Sequence, residues 1–153
     1  MNGTFNYIMM NLRWGNYRYI GSGSCRDVFD LGNGYVVKVA RNLAGIAQNK
    51  SEYKISHKDN SGLFAKVVQV SNDFSMLIME KADKINNISY IWRYFNASNE
   101  EELVNSKELQ KIKQDYNLVL GDLERQSSWG IIDGRPVIID YGFTKDVSRK
   151  YYS

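Results

Sequence analysis

The 153-residue sequence holds one cysteine, one histidine and one proline. A lone Cys25 excludes an internal disulfide and fits a reducing compartment, so the expected location is cytoplasmic. Cys25 and His57 by themselves cannot assemble a Cys/His zinc centre. A Ser-His-Asp or Cys-His hydrolase would have to use His57, which lies in a polar stretch with no nucleophile motif beside it. It reads as a core or surface histidine. No run approaches the ~18 apolar residues of a membrane span. The opening stretch Met1 to Met10 has neither a basic start nor a small-residue cleavage site, so neither membrane insertion nor export is expected. Basic runs are missing too. Lys and Arg number 20 against 17 Asp and Glu, a net charge of +3, and the densest cluster is Lys145 to Lys150. Nucleic-acid binders gather such residues on one face, so nucleic acid is not an expected partner.

What is present fits a globular chain: 43% hydrophobic and 24% charged residues, enough for one domain or two small lobes around one core. Tyr17 to Ile20 is a β-prone run, broken by Gly21-Ser22-Gly23-Ser24. Val28, Phe29 and Leu31 make a second run. Asn33-Gly34 reads as a tight hairpin turn, since both residues accept positive φ. Tyr35 to Val39 is a third strand. A helix is expected over roughly Ala44 to His57, then strands over Ala65 to Val70 and Phe74 to Met79, the latter apolar enough to be buried on both faces. The second half is more helical. Ile85 to Phe95 reads as a short helix, and Ser98 to Glu101 as a capping box. Leu103, Leu109, Ile112 and Tyr116 keep helical spacing after it. Trp129 to Ile132 and Val137 to Ile139 bracket an Asp133-Gly134 turn. Phe143 to Ser153 can make one strand or one helical turn.

Five residue sets carry the candidate chemistry. Gly21, Ser22 and Gly23 lie between two strands, where backbone N–H groups can face a polyphosphate, although a Gly-Ser-Gly hairpin is also an ordinary turn. Lys38 sits in the apolar run Val36 to Ala40, and a cation there must reach solvent or find an anion. Glu52, on the following helix, can brace Lys38 or face water. Asp122 follows Val119-Leu120-Gly121. Asp140 ends the run Val137 to Ile139 ahead of Tyr141-Gly142, which suits a metal ligand or a turn cap.

In this order the sequence resembles the protein kinase family. That family uses a glycine loop, a third-strand lysine paired with a helix glutamate, a catalytic aspartate and a metal-binding Asp-Phe-Gly. The resemblance covers about residues 17 to 144. It implies an α+β, protein kinase-like fold: a five-stranded antiparallel N-lobe sheet with one helix (residues 1–82) and a truncated, mainly helical C-lobe (83–153). It implies ATP and Mg2+ as cofactors, with Gly21, Ser22, Gly23, Lys38, Glu52 and Glu80 on the nucleotide, Asp122 and Lys38 in catalysis, and Asp140 and Ser127 on the metal. Its size is similar to that of small kinase-like proteins of phages and mobile elements.

The pattern also departs from the family. Arg26 stands at the third glycine, Leu120-Gly121 replaces the His-Arg before the catalytic aspartate, Ser127 replaces the metal-binding asparagine, and little chain follows Gly142. Two functions are therefore weighed: an ATP-dependent phosphotransferase, and a catalytically inactive pseudokinase acting as a protein-binding module. The 11 Tyr, 3 Trp and 6 Phe suit a protein partner as well as a core. A nucleic-acid domain that mimics the kinase order is a third reading. A homodimer is expected if the reduced lobe exposes apolar surface.

Overall fold

A computed structural model of the chain describes residues 3–23 and 25–152. Ser24, read as part of the glycine turn, lies outside the described residues. The chain divides into two compact units, Met1–His57 with Lys66–Lys81, and Lys58–Ala65 with Ala82–Ser153. No helix among the described residues is long and apolar enough to cross a membrane.

The first unit is an antiparallel sheet with a helix on each face. Its strands are β1 (Arg18–Ser22), β2 (Arg26–Asp30), β3 (Tyr35–Ala40), β4 (Val67–Val70) and β5 (Met76–Glu80), in the order β1-β2-β3-β5-β4. The expected hairpin joins β2 to β3, with Gly32 and Gly34 at φ of 78° and 89°, conformations glycine adopts without strain. Side chains alternate between the faces of a strand. Val37, Met76 and Ile78 therefore point to one side, where they pack with Phe5 and Ile8 of helix α1 (Gly3–Arg13). Lys38 points to the other, under helix α2 (Leu43–Lys58).

Helix α1 was not expected. Its inward residues Phe5, Ile8 and Leu12 keep helical spacing, but Tyr7, Met9 and Met10 are exposed, so apolar residues on both faces hide the period. Burying Phe5 and Ile8 stabilises the unit by roughly 1.5–3 kcal/mol each. Three strand boundaries also differ from expectation. β1 runs through Gly21 and Ser22, because a bulge between Tyr19 and Gly21 lets the pairing continue. β4 begins at Val67, since Phe64 and Ala65 belong to the second unit, where Phe64 bridges to Ile138. β5 begins at Met76, since Phe74 has φ of 59° within the Ser71–Ser75 turn.

The second unit is mainly helical: α3 (Ser89–Tyr94), α4 (Glu100–Val104), α5 (Lys107–Tyr116) and α6 (Lys145–Tyr151), with a hairpin of β6 (Trp129–Ile132) and β7 (Arg135–Ile138). Ile91, Leu103, Leu109, Ile112 and Ile138 are fully or almost fully buried in it. The capping box sits one residue later than read. Asn99 accepts from the Glu102 amide (2.9 Å), and Glu102 accepts from the Ser98 amide (3.2 Å). The run from Leu103 to Tyr116 is two helices, because Ser106 caps a new one by accepting from the Leu109 amide (3.4 Å). The residues after Gly142 form a seven-residue helix rather than a single turn, capped by Thr144, which accepts from the Val147 amide at 3.2 Å.

Candidate functional site

In the first unit, three charged side chains meet between the sheet and α2. Val28 and Lys38 are cross-strand partners, and Gly21 and Val28 are the next pair along the same row. Arg26 lies two residues from Val28 on β2 and so faces the same side as Lys38. Above them, α2 turns a polar stripe inward: Gln48, Asn49 and Glu52 are buried. Lys38 Nζ donates to Glu52 Oε1 and Oε2 at 2.9 and 3.1 Å. Arg26 donates to the same oxygens from Nη1 and Nη2 at 2.7 and 3.0 Å, a two-point contact. Arg26 Nη1 also donates to Asn49 Oδ1 (3.0 Å), and Asn49 Nδ2 donates to the Phe74 carbonyl (2.8 Å).

Glu52 is fully buried, and Lys38 and Arg26 are 5% exposed. Burial pushes the Glu52 carboxyl up, but the charges and hydrogen bonds of Arg26 and Lys38 outweigh it and hold the group at about 2, against an ordinary 4.5. The helix is fitted closely enough to fix this geometry. A Cβ at Gly45 would overlap the Cys25 carbonyl oxygen at the foot of β2.

The glycine turn beside this cluster has a different character. A Cβ added at Gly21 or Gly23 would meet no atom within 4 Å, and neither residue has a positive φ. Neither packing nor backbone conformation demands glycine there. The space beside both backbones is open, and the Gly23 amide donates to the Arg26 carbonyl at 3.0 Å. Arg41 supports the turn by donating to the Gly23 carbonyl and pairing with Asp27 at 3.3 Å. Ser22 is exposed. Glu80 is engaged elsewhere: its Oε1 accepts from the Lys66 amide at 2.9 Å.

In the second unit, Asp122 and Asp140 line one small pocket of about 10 Å³ with Val119, Tyr141 and Phe143. Asp122 lies on the 3-10 turn Leu120–Glu124, which Trp129 fixes by donating from Nε1 to the Leu123 carbonyl (2.9 Å). Asp140 follows β7. The next residue, Tyr141, is buried, donates to the Ala65 carbonyl (2.6 Å) and packs on the Phe64 ring, 4.5 Å between centroids. Burial raises the Asp122 carboxyl above its ordinary 3.8, the Asp140 charge raises it further, and Arg125 opposes both. Ser127 is exposed on the adjacent 3-10 turn Gln126–Ser128 and does not line this pocket.

The donor set suits a hard cation held in part by other oxygens. Among the described residues no three Asp, Glu, His or Cys groups gather. Mg2+ is commonly held by one or two carboxylates together with waters and substrate phosphates, which two aspartates fit. Sequence reasoning missed Arg26 as a partner of Glu52, along with Asn49. Arg26 pairs with Ala40, two residues from Lys38 on the same face, a register that the sequence alone does not carry.

The fold is α+β, with the five-stranded antiparallel sheet, the helix after β3 and the mainly helical second unit that the resemblance implied. A glycine pair precedes β2, a lysine stands on β3, its glutamate stands on the helix between β3 and β4, and two aspartates flank the later hairpin. No protein-family model and no curated protein matches the sequence significantly. Among solved structures, the chain is similar to the streptomycin–ATP–APH(2'')-IIa ternary complex, at 15% identity and a TM-score of 0.48, over 93% of this chain and 71% of that one. That likeness carries no residue assignment.

Proposed function

We propose that the chain binds ATP with Mg2+ and acts as a kinase-like phosphotransferase. The observation that carries this reading is Lys38, held on β3 by both oxygens of a fully buried Glu52 beside a turn whose glycines are open to approach. Glu52 orients Lys38, and Lys38 offers a cation to phosphate oxygens beside the open face of the glycine turn. Asp140 is the residue proposed to hold Mg2+, which when bound would supply positive charge against the nucleotide phosphates. Asp122, its carboxyl raised above the ordinary 3.8 by burial and by the Asp140 charge, takes the acceptor proton. The acceptor oxygen bonds to the terminal phosphorus as the bond to the bridging oxygen breaks, the hydroxyl proton passes to Asp122, and ADP leaves. Ser127 and Glu80 are given no role, since one lies outside the pocket and the other is engaged by Lys66.

A second reading, a non-transferring module that grips a protein partner, is favoured by one observation. Tyr7, Met10 and Trp14 leave an apolar stripe along and just beyond α1, 61%, 44% and 70% exposed. Incubation with γ-labelled ATP and Mg2+ separates the two. The phosphotransferase reading expects label on an acceptor or on the chain itself, reduced about 100- to 10,000-fold in Asp122→Ala. Equal labelling in wild type and Asp122→Ala would refute the role of Asp122. No labelling with any acceptor would leave the binding module.

A further inference from the structure

A second concavity adjoins the aspartate pocket within the same unit. It is an open groove of about 430 Å³ lined by Asn117, Val119, Lys145, Ser148 and Arg149. Val119 lines both spaces. The shared wall is fixed by backbone: the Val119 amide donates to the Phe143 carbonyl (3.1 Å), and the Lys145 amide donates to the Asn117 carbonyl (2.9 Å). These bonds flank the Leu118–Thr144 bridge, so the two spaces are built on one short ladder.

The sizes divide the work. At about 10 Å³, the aspartate pocket admits roughly one water-sized group, such as a hydroxyl. The groove's 430 Å³ lies within the ~300–1,000 Å³ of small-molecule sites. The charges divide it further. The charged residues lining the groove are Lys145 and Arg149, and those lining the pocket are Asp122 and Asp140. An anionic group is repelled by Asp122 and Asp140 and attracted by Lys145 and Arg149, so a molecule with a hydroxyl at one end and an anion at the other has one favoured orientation. Arg149 also holds Asp146 at 2.6 Å, but that pair is 75% and 79% exposed, where solvent screens it. Ser148 and Asn117 add neutral hydrogen-bonding groups.

We propose that this groove is the acceptor subsite, and that it takes a small hydroxy compound carrying a phosphate monoester. This rests on the phosphotransferase reading and names its substrate class. The phosphate sits against Lys145 and Arg149, and the free hydroxyl enters the pocket toward Asp122. Its oxygen attacks the terminal phosphorus of ATP, its proton goes to Asp122, and ADP departs. An amine-bearing acceptor would instead meet two cations.

The test uses the full chain and reads amide NMR shifts at Asn117, Val119 and Ser148. The probes are glycerol 3-phosphate, ribose 5-phosphate and glucose 6-phosphate, each against its unphosphorylated parent, with glucosamine as the cationic control. At least one phosphorylated probe should shift these amides at concentrations where its parent does not. The Lys145→Glu/Arg149→Glu variant should weaken that probe by about tenfold more than it weakens Mg·ATP. The proposal is overturned if no phosphorylated probe shifts the amides, if a parent or glucosamine binds more tightly, or if the charge-reversed variant binds the probe as well as wild type. Mg·ATP is titrated separately. ATP binding without groove shifts removes the acceptor site alone, whereas absence of ATP binding removes the phosphotransferase reading and the acceptor role with it.

Discussion

Replacing Glu52 by glutamine tests the buried cluster most severely, because the change is nearly isosteric and alters charge and hydrogen bonding together. Glu52 accepts from Lys38 and Arg26 through both oxygens, with 0% of its side chain exposed. Glutamine keeps one accepting oxygen and turns N–H donors toward two cationic donors. Removing one partner of a buried ion pair costs about 3–5 kcal/mol, a large share of the roughly 5–15 kcal/mol that holds a domain folded. Arg26→Met in the Glu52→Gln background takes away one of the opposing cations, so the double variant should be more stable than the sum of the single effects by about 0.5–3 kcal/mol. Native-state hydrogen exchange of β2, β3 and α2 amides at pH 7 reads this directly. The pH dependence gives an independent magnitude. A carboxyl held at about 2 against an ordinary 4.5 contributes stability that is fully present above 4.5 and lost as pH falls through about 2. The gap corresponds to about 3 kcal/mol at pH 7, of which about 1 kcal/mol remains at pH 3. Glu52→Gln lacks that dependence. A Glu52→Gln cost below about 1 kcal/mol at pH 7, or strictly additive single effects, would refute the reasoning.

Three other outcomes follow from the geometry. If Asp122 is the proton acceptor, the rate of label transfer falls on the acid side through a pKa above 3.8. Arg125, 3.8 Å from Asp122, lowers that value, so Arg125→Ala should move the acid limb to higher pH; a limb that stays put or moves down contradicts the assignment. Gly45→Ala places a methyl on the Cys25 carbonyl oxygen and should cost about 1–3 kcal/mol or more, seen as faster exchange in α2, whereas a neutral effect would mean that α2 is not seated against β2. Phe5→Ala, at a position with 0% exposure, should cost about 3–5 kcal/mol by urea denaturation, and a loss under about 1 kcal/mol would show that α1 does not belong to the sheet's core.

Much of the first unit was legible because its signals are local. The Asn33-Gly34 turn set one hairpin, and the run Tyr35 to Val39 marked β3 with its lone cation. Lys38 and Glu52 could be named because a charge inside an apolar strand needs a partner. Arg26 was harder. Its direction depends on the β2–β3 register, which places it beside Lys38, and a single sequence does not give that register. The polar inner stripe of α2 hid for a related reason: Gln48, Asn49 and Glu52 are buried, the opposite of an apolar core face. Helix α1 was hidden by its exposed apolar residues. In the second unit Asp122 and Asp140 were named as separate positions. Their common pocket depends on short 3-10 turns and on the Leu118–Thr144 bridge, which propensity does not specify. Ser127 was chosen by its place in the resemblance, whereas Ser128 is the buried serine of that turn.

The proposed function stands or falls with nucleotide binding at Lys38 and its dependence on Mg2+ through Asp140. Calorimetric titration of ATP, with and without Mg2+, into wild type, Lys38→Met and Asp140→Asn tests it most directly. Wild type is expected to bind ATP more tightly with Mg2+, Lys38→Met to bind it about tenfold or more weakly, and Asp140→Asn to lose the Mg2+ dependence. No heat of binding in folded wild type, or equal binding by all three proteins, would contradict it.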